Sequence, residues 1–152
     1  MKTGLVGCGG IAAVHGSVLT SGIDTEFVAA ADIKPEKAQT YAENFHTKPY
    51  PSLESMLDAE KPDVLHICTP HYLHVPMTIY ALERNINVFM EKPPAISFDQ
   101  LEELKKAAAK SEAQLGFCYQ NRYNASIRAA KDLIDSGKAG KVLGARAFVT
   151  WC

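Results

Sequence analysis

The sequence predicts an α/β fold built on a doubly wound parallel sheet. Short apolar runs alternate with longer amphipathic stretches, and the alternation repeats five times. The apolar runs are near-continuous over five or six residues, which suits strands buried on both faces. Alternation of this kind winds helices over both sides of one sheet.

The runs are "TGLVG" (3–7), "EFVAAAD" (26–32), "DVLHICT" (63–69), "NVFMEK" (87–92) and "QLGFCY" (114–119). Helices are expected between them at 10–21, 35–45, 52–58, 75–84 and 98–111. Pro35 follows the second run at a first helical position, where its missing N–H costs nothing. "SFDQ" (97–100) matches a capping box, with Ser97 as N-cap and Gln100 reaching back to it. Leu101, Leu104 and Ala108 then recur on one helical face, and "EELKKAAAK" (102–110) is a strong helix former with a solvated charged side. After Tyr119 the pattern changes: a helix over 124–136, a loop "SGKAGK" (136–141) and a further strand "VLGARAFVTWC" (142–152).

Length and charge narrow the function. A chain of 152 residues holds one domain with a real core, burying roughly two-thirds of its unfolded surface. Lys plus Arg total 16 against 17 Asp plus Glu, which leaves no electrostatic footprint for nucleic acid or a membrane surface. Cys8, Cys68, Cys118 and Cys152 form no CxxC and read as reduced thiols of a cytoplasmic protein. "LVGC" (5–8) imitates a lipobox, but the residues before Cys8 are too few for a signal peptide. No stretch approaches the length of a membrane span.

The chemistry starts at "GLVGCGGIAAVH" (4–15). Gly7, Gly9 and Ala12 stand as G-x-G-x-x-A between the first strand and the first helix, the setting a dinucleotide-binding turn requires. Gly7 permits the turn, Gly9 lets backbone N–H groups approach a pyrophosphate, and Ala12 keeps the helix close to the sheet. Gly10 and Ile11 open the helix, whose N-terminal N–H groups receive phosphate. Asp32 closes the second strand 20 residues after Ala12, placed to accept hydrogen bonds from both ribose hydroxyls of an adenosine. Its charge repels a 2′-phosphate, which favours NAD over NADP, and Lys34 softens that preference. The fold class is therefore the Rossmann dinucleotide-binding fold.

"MEKPPA" (90–95) follows the fourth of these runs, where ligands of doubly wound sheets sit. Together "GLVGCGGIA" with Asp32, "CTPHYLH" (68–74), "NVFMEKPPA" (87–95), and "QNRYN" (120–124) followed by "LIDSGKAGKV" (133–142) resemble the Gfo/Idh/MocA family of NAD(P)-dependent oxidoreductases, which act mostly on sugars, polyols and their derivatives. The resemblance implies that Lys92 bonds the reacting hydroxyl and assists proton transfer. It places Thr69, Pro70 and His74 beside the cofactor, Glu91 next to the nicotinamide ribose, and Asn121 and Arg122 near the nicotinamide end. A lysine packed in such a site against a cationic ring is expected to release its proton more readily. The final "FVTW" (148–151) looks like the entry to the family's second domain. Residues 1–121 are then the dinucleotide domain, and 122–152 the linking helix and first strand of an absent substrate domain. The expectation is a cofactor-binding fragment, inactive alone, whose unpaired last strand encourages homo-oligomerisation or disorder.

Other readings of the same residues exist. Cys68, His71 and His74 could be soft metal ligands, though no fourth is apparent, and no metal is expected. His66 reads as a satisfied core histidine, and Tyr119 and Tyr123 either frame a ligand or pack at a strand end. A non-catalytic NAD-binding sensor module would share the glycine turn. So would a methyltransferase holding S-adenosylmethionine, but that reading gives "EKP" and "QNRYN" no purpose.

Overall fold

The computed structural model describes residues 1–21, 24–146 and 148. They form two compact units, Met1–Cys118 and Tyr119–Cys152.

The first unit runs β1 (Lys2–Val6), α1 (Gly10–Leu19), β2 (Glu26–Ala31), α2 (Pro35–Phe45), β3 (Lys48–Tyr50), α3 (Leu53–Glu60), β4 (Val64–Ile67), α4 (His74–Leu82), β5 (Asn87–Glu91), α5 (Phe98–Lys110) and β6 (Leu115–Cys118). A 3-10 turn, His71–Leu73, leads into α4. All strands are parallel in the order β3-β2-β1-β4-β5-β6. That is the strand order of a dinucleotide-binding Rossmann sheet, with its switch point between β1 and β4.

Register sorts the side chains onto two faces. Val6 pairs with Ala31 and Ile67, and Ile67 with Met90. Their face forms the main core with Met56 and Leu57 of α3, Val75 and Leu82 of α4, and Leu104 of α5. On the other face Leu5 pairs with Ala30 and packs with Ala12 of α1 and Tyr41 of α2. The Tyr41 hydroxyl donates to the Ala12 carbonyl at 2.7 Å, which locks α2 onto α1. Gly16 makes that crossing close, because a Cβ there would meet Tyr41 and the Phe45 ring at under 3 Å.

The helix boundaries follow local chemistry. α2 begins at Pro35, as its fixed φ favours. Ser52 and Ser97 cap α3 and α5 by accepting from the N–H groups of Ser55 and Gln100. The Gln100 side chain reaches back one residue further than a capping box predicts and accepts from Ile96 N–H at 3.2 Å. β3 is absent from the sequence prediction. It is three residues long and holds Pro49, which an edge strand tolerates.

The second unit contains a 3-10 turn, Gln120–Tyr123, and α6 (Ala125–Asp135). The strand predicted over 142–152 is not formed at 142–146 or at 148, and the other residues of that stretch lie outside the described ones. A strand needs an edge to bond its N–H and C=O groups, and the elements described in this unit are helical. No helix of the described residues is long and apolar enough to cross a membrane.

Candidate functional site: a cleft at the carboxyl ends of the strands

Parallel strands end on the same side, and the glycine turn is fastened there from both flanks. Gly7 N–H donates to Ala31 O of β2 at 2.8 Å, and Cys68 N–H donates to Val6 O of β1 at 2.9 Å. Gly7 has φ +91, and a Cβ on it would stand 2.8 Å from the Cys68 carbonyl and Thr69 N. Only glycine meets both demands. Gly9, the N-cap of α1, and Gly10 have nothing within 4 Å of a would-be Cβ. The chain's own packing gives no reason for glycine at these two positions; the open space above them supplies one.

Gly9 also lines a cleft of about 330 Å³, together with Gly7, Asp32, Lys34, Lys37, Thr69 and Pro70, with Ile33, Tyr72, Leu73 and Met77 as apolar walls. The Asp32 carboxylate is fixed by two backbone donors, Cys8 N–H on Oδ2 and Lys34 N–H on Oδ1, each at 2.9 Å. Each oxygen keeps lone-pair capacity for a further donor. Burial, and secondarily the Asp32 charge, pushes the Cys8 thiol up to about 12, so it stays protonated beside the turn. Thr69 Oγ1 is buried without a hydrogen-bond partner, a polar atom at the cleft awaiting one.

Sequence reasoning placed Gly7, Gly9, Asp32, Thr69 and Pro70, and the structure brings all of them to this cleft. Gly10 and Ile11 form the exposed first turn of α1, and Ala12 is buried beneath it. His74 stands at the start of α4, behind the cleft residue Thr69. It is fully buried, and its ring nitrogens face the carbonyls of Pro93 and Thr69 at 2.8 and 3.0 Å. It ties the segments after β4 and β5 together and has no surface left for a ligand. The same bonds take His74 out of the candidate metal trio with Cys68 and His71. Lys92 is exposed, so the packing expected around its ammonium is not present in this unit. Asn121 and Arg122 lie on the exposed 3-10 turn of the second unit.

A polar cluster escaped sequence reasoning. His15 of α1 is buried, with Nε2 3.1 Å from Glu91 Oε1 and Nδ1 2.9 Å from His66 Nδ1. Glu91 Oε2 accepts from Lys92 N–H at 3.2 Å. Desolvation raises the Glu91 pKa, but bonds from His15, Cys118 and the Lys92 N–H outweigh it and hold the group below its ordinary value. Burial, helped by His15, pushes His66 down to about 4. One ring nitrogen of His15, a Glu91 oxygen and Cys118 Sγ lie within 4.8 Å of one another. The signal available in the sequence was parity: His66, Phe89, Glu91 and Cys118 alternate onto the face that α1 covers.

The fold and the cleft together define a Rossmann-type nucleotide-binding unit. The profile of the Gfo/Idh/MocA oxidoreductase family, NAD-binding Rossmann fold, matches residues 1–119, and the chain belongs to that family. The D-glucoside 3-dehydrogenase of Escherichia coli (strain K12) is 30% identical over 144 residues, 93% of this chain and 41% of that protein. The 2,7-anhydro-N-acetylneuraminate hydratase of Mediterraneibacter gnavus is 32% identical over 146 residues, 94% of this chain and 38% of that protein. Among solved structures, the WlbA dehydrogenase from Bordetella pertussis in complex with NADH and UDP-GlcNAcA gives a TM-score of 0.89 at 31% identity, over 93% of this chain and 44% of that one. The chain thus spans about two-fifths of the length of these relatives.

Proposed function

We propose that the chain is the cofactor-binding portion of an NAD(P)-dependent oxidoreductase, acting on a hydroxyl or carbonyl of a sugar, polyol or derivative. The observation that carries this reading is the open space at Gly9, which shares one cleft with a carboxylate fixed on two backbone N–H groups. Gly9, Gly10 and the first turn of α1 hold the pyrophosphate on backbone N–H groups and the positive end of the helix. Asp32 accepts from the adenosine ribose, Ile33 and Tyr72 flank the base, and Thr69 Oγ1 gains its missing partner. The fixed Asp32 charge favours NAD over NADP, while Lys34 and Lys37 on the same cleft reduce the margin.

Oxidation of an alcohol removes a hydride from carbon and a proton from oxygen. The nicotinamide, when bound, supplies the hydride acceptor. Lys92, exposed at the end of β5, bonds the reacting oxygen and moves its proton. Residues 1–121 are the dinucleotide-binding portion, and 122–152 lead into a substrate domain. The names of the relatives support a sugar or polyol as substrate.

The test is calorimetric titration of the folded chain with NADH, NADPH and S-adenosylmethionine in turn. Saturable NADH binding, weakened by about 1–3 kcal/mol in Asp32→Ala, is the expected result. A folded chain that binds S-adenosylmethionine and no dinucleotide rejects the proposal.

A further inference from the structure

We infer that Glu91, held by His15, is an electrostatic selector that makes this site prefer the oxidised, cationic nicotinamide over the reduced, neutral one. The inference rests on the dinucleotide reading above and concerns its other half. In a sheet of this strand order the two mononucleotide halves of the ligand straddle the β1–β4 switch point. Asp32 at the end of β2 claims the adenosine side. The nicotinamide half then extends over the ends of β4 and β5, and Glu91 is the last residue of β5.

The geometry keeps a charge at that place. Glu91 is 5% exposed, yet its carboxylate accepts from His15 Nε2, from Lys92 N–H and from Cys118. Three donors make the ionised form the satisfied one. The remaining contact, His15 Nδ1 to His66 Nδ1, accommodates one proton. The Lys92 side chain is exposed, where water and salt screen its field. The buried carboxylate is screened far less, so its field distinguishes a ring that carries a positive charge from one that does not.

His15 is a positioning residue in this scheme. It sits on α1, whose N-terminus receives the phosphates, and so joins the phosphate-binding helix to the strand end that bears Lys92.

The experiment measures dissociation constants for NAD⁺ and NADH on the same preparations of this chain, wild type, Glu91→Gln, His15→Ala and His15→Gln. Circular dichroism confirms that each is folded. The expected result is that Glu91→Gln, nearly isosteric, weakens NAD⁺ relative to NADH by about tenfold, of the order a single charge at close range gives. His15→Ala moves the ratio the same way by a smaller factor, and His15→Gln, which restores an N–H for Glu91, brings it back. A purely structural role weakens both forms alike, so an unchanged ratio in folded Glu91→Gln overturns the inference while leaving the cofactor site standing. Failure of the folded wild type to bind either form removes the underlying reading and this inference with it.

Discussion

Two glycines of one turn are expected to fail in opposite ways when given a methyl group. At Gly7 an added Cβ must adopt φ +91, which costs an L-residue about 1–2 kcal/mol. It must also displace backbone atoms of Cys68 and Thr69 that lie at 2.8 Å and are pinned by the β1–β4 pairing, a further 1–3 kcal/mol or so. Gly7→Ala should therefore lose about 2–5 kcal/mol, a large part of the roughly 5–15 kcal/mol that holds a domain folded. Gly9 is extended, at φ −87 and ψ −169, with open space around its would-be Cβ. Alanine there gains about 0.4–1 kcal/mol from the unfolded chain and loses a similar amount as a poor N-cap. Gly9→Ala should keep wild-type stability within about 0.5 kcal/mol and still bind NADH at least about tenfold more weakly, because its methyl occupies the phosphate's approach. Urea unfolding followed by fluorescence reads the first effect, and with a slope of about 1–3 kcal/mol per molar the Gly7 variant's midpoint drops by about 1 M or more. Calorimetric titration reads the second. Full NADH affinity in Gly9→Ala would refute the assignment of that space to a phosphate, and a Gly7→Ala chain as stable as wild type would refute the close approach.

Ser97→Ala removes the side-chain cap of α5 and should cost about 1 kcal/mol, read as a lower urea midpoint; restoration by Ser97→Asp identifies the cap as the cause. His66 is held near pKa 4 in the fold against an ordinary 6.5, so between those values the unfolded chain binds more protons. Stability should fall as pH drops from 6.5 towards 4, by up to about 3 kcal/mol, and Glu91 adds its own loss only below its ordinary carboxylate range. His66→Asn, which cannot titrate, should flatten that slope; an unchanged profile would assign it to other groups. Lys92→Ala touches an exposed side chain and should shift stability by no more than about 0.5 kcal/mol. In the full-length enzyme proposed above, the same change should abolish turnover, and normal turnover would remove Lys92 from proton transfer.

Much of the cleft was legible because its residues obey local rules. A glycine at Gly7 and an acid at Asp32 are demands of backbone geometry and ribose chemistry, and both leave marks at fixed spacing. Ile33, Tyr72 and Met77 left none, since an apolar wall of a cleft and an apolar residue of a core look alike in one dimension. His15 was invisible for a related reason. Its partner Glu91 is 76 residues away, and the helix period that aims His15 inward says nothing of which strand it meets. β3 was too short to show alternation. The strand expected at 142–152 was read from propensity alone, which a missing edge overrides at the described residues of that stretch.

β1 lies in the interior of the sheet, hydrogen-bonded to β2 on one side and β4 on the other. β1 is thus completed only when the distant segment Val64–Ile67 can pair with it. Until then the glycine turn has one wall, from Ala31, and lacks the other, from Cys68. Such long-range closure is slow compared with helix formation. The capacity to hold a nucleotide is therefore not a local property of the glycine turn, and it waits on the pairing of β1 with β4.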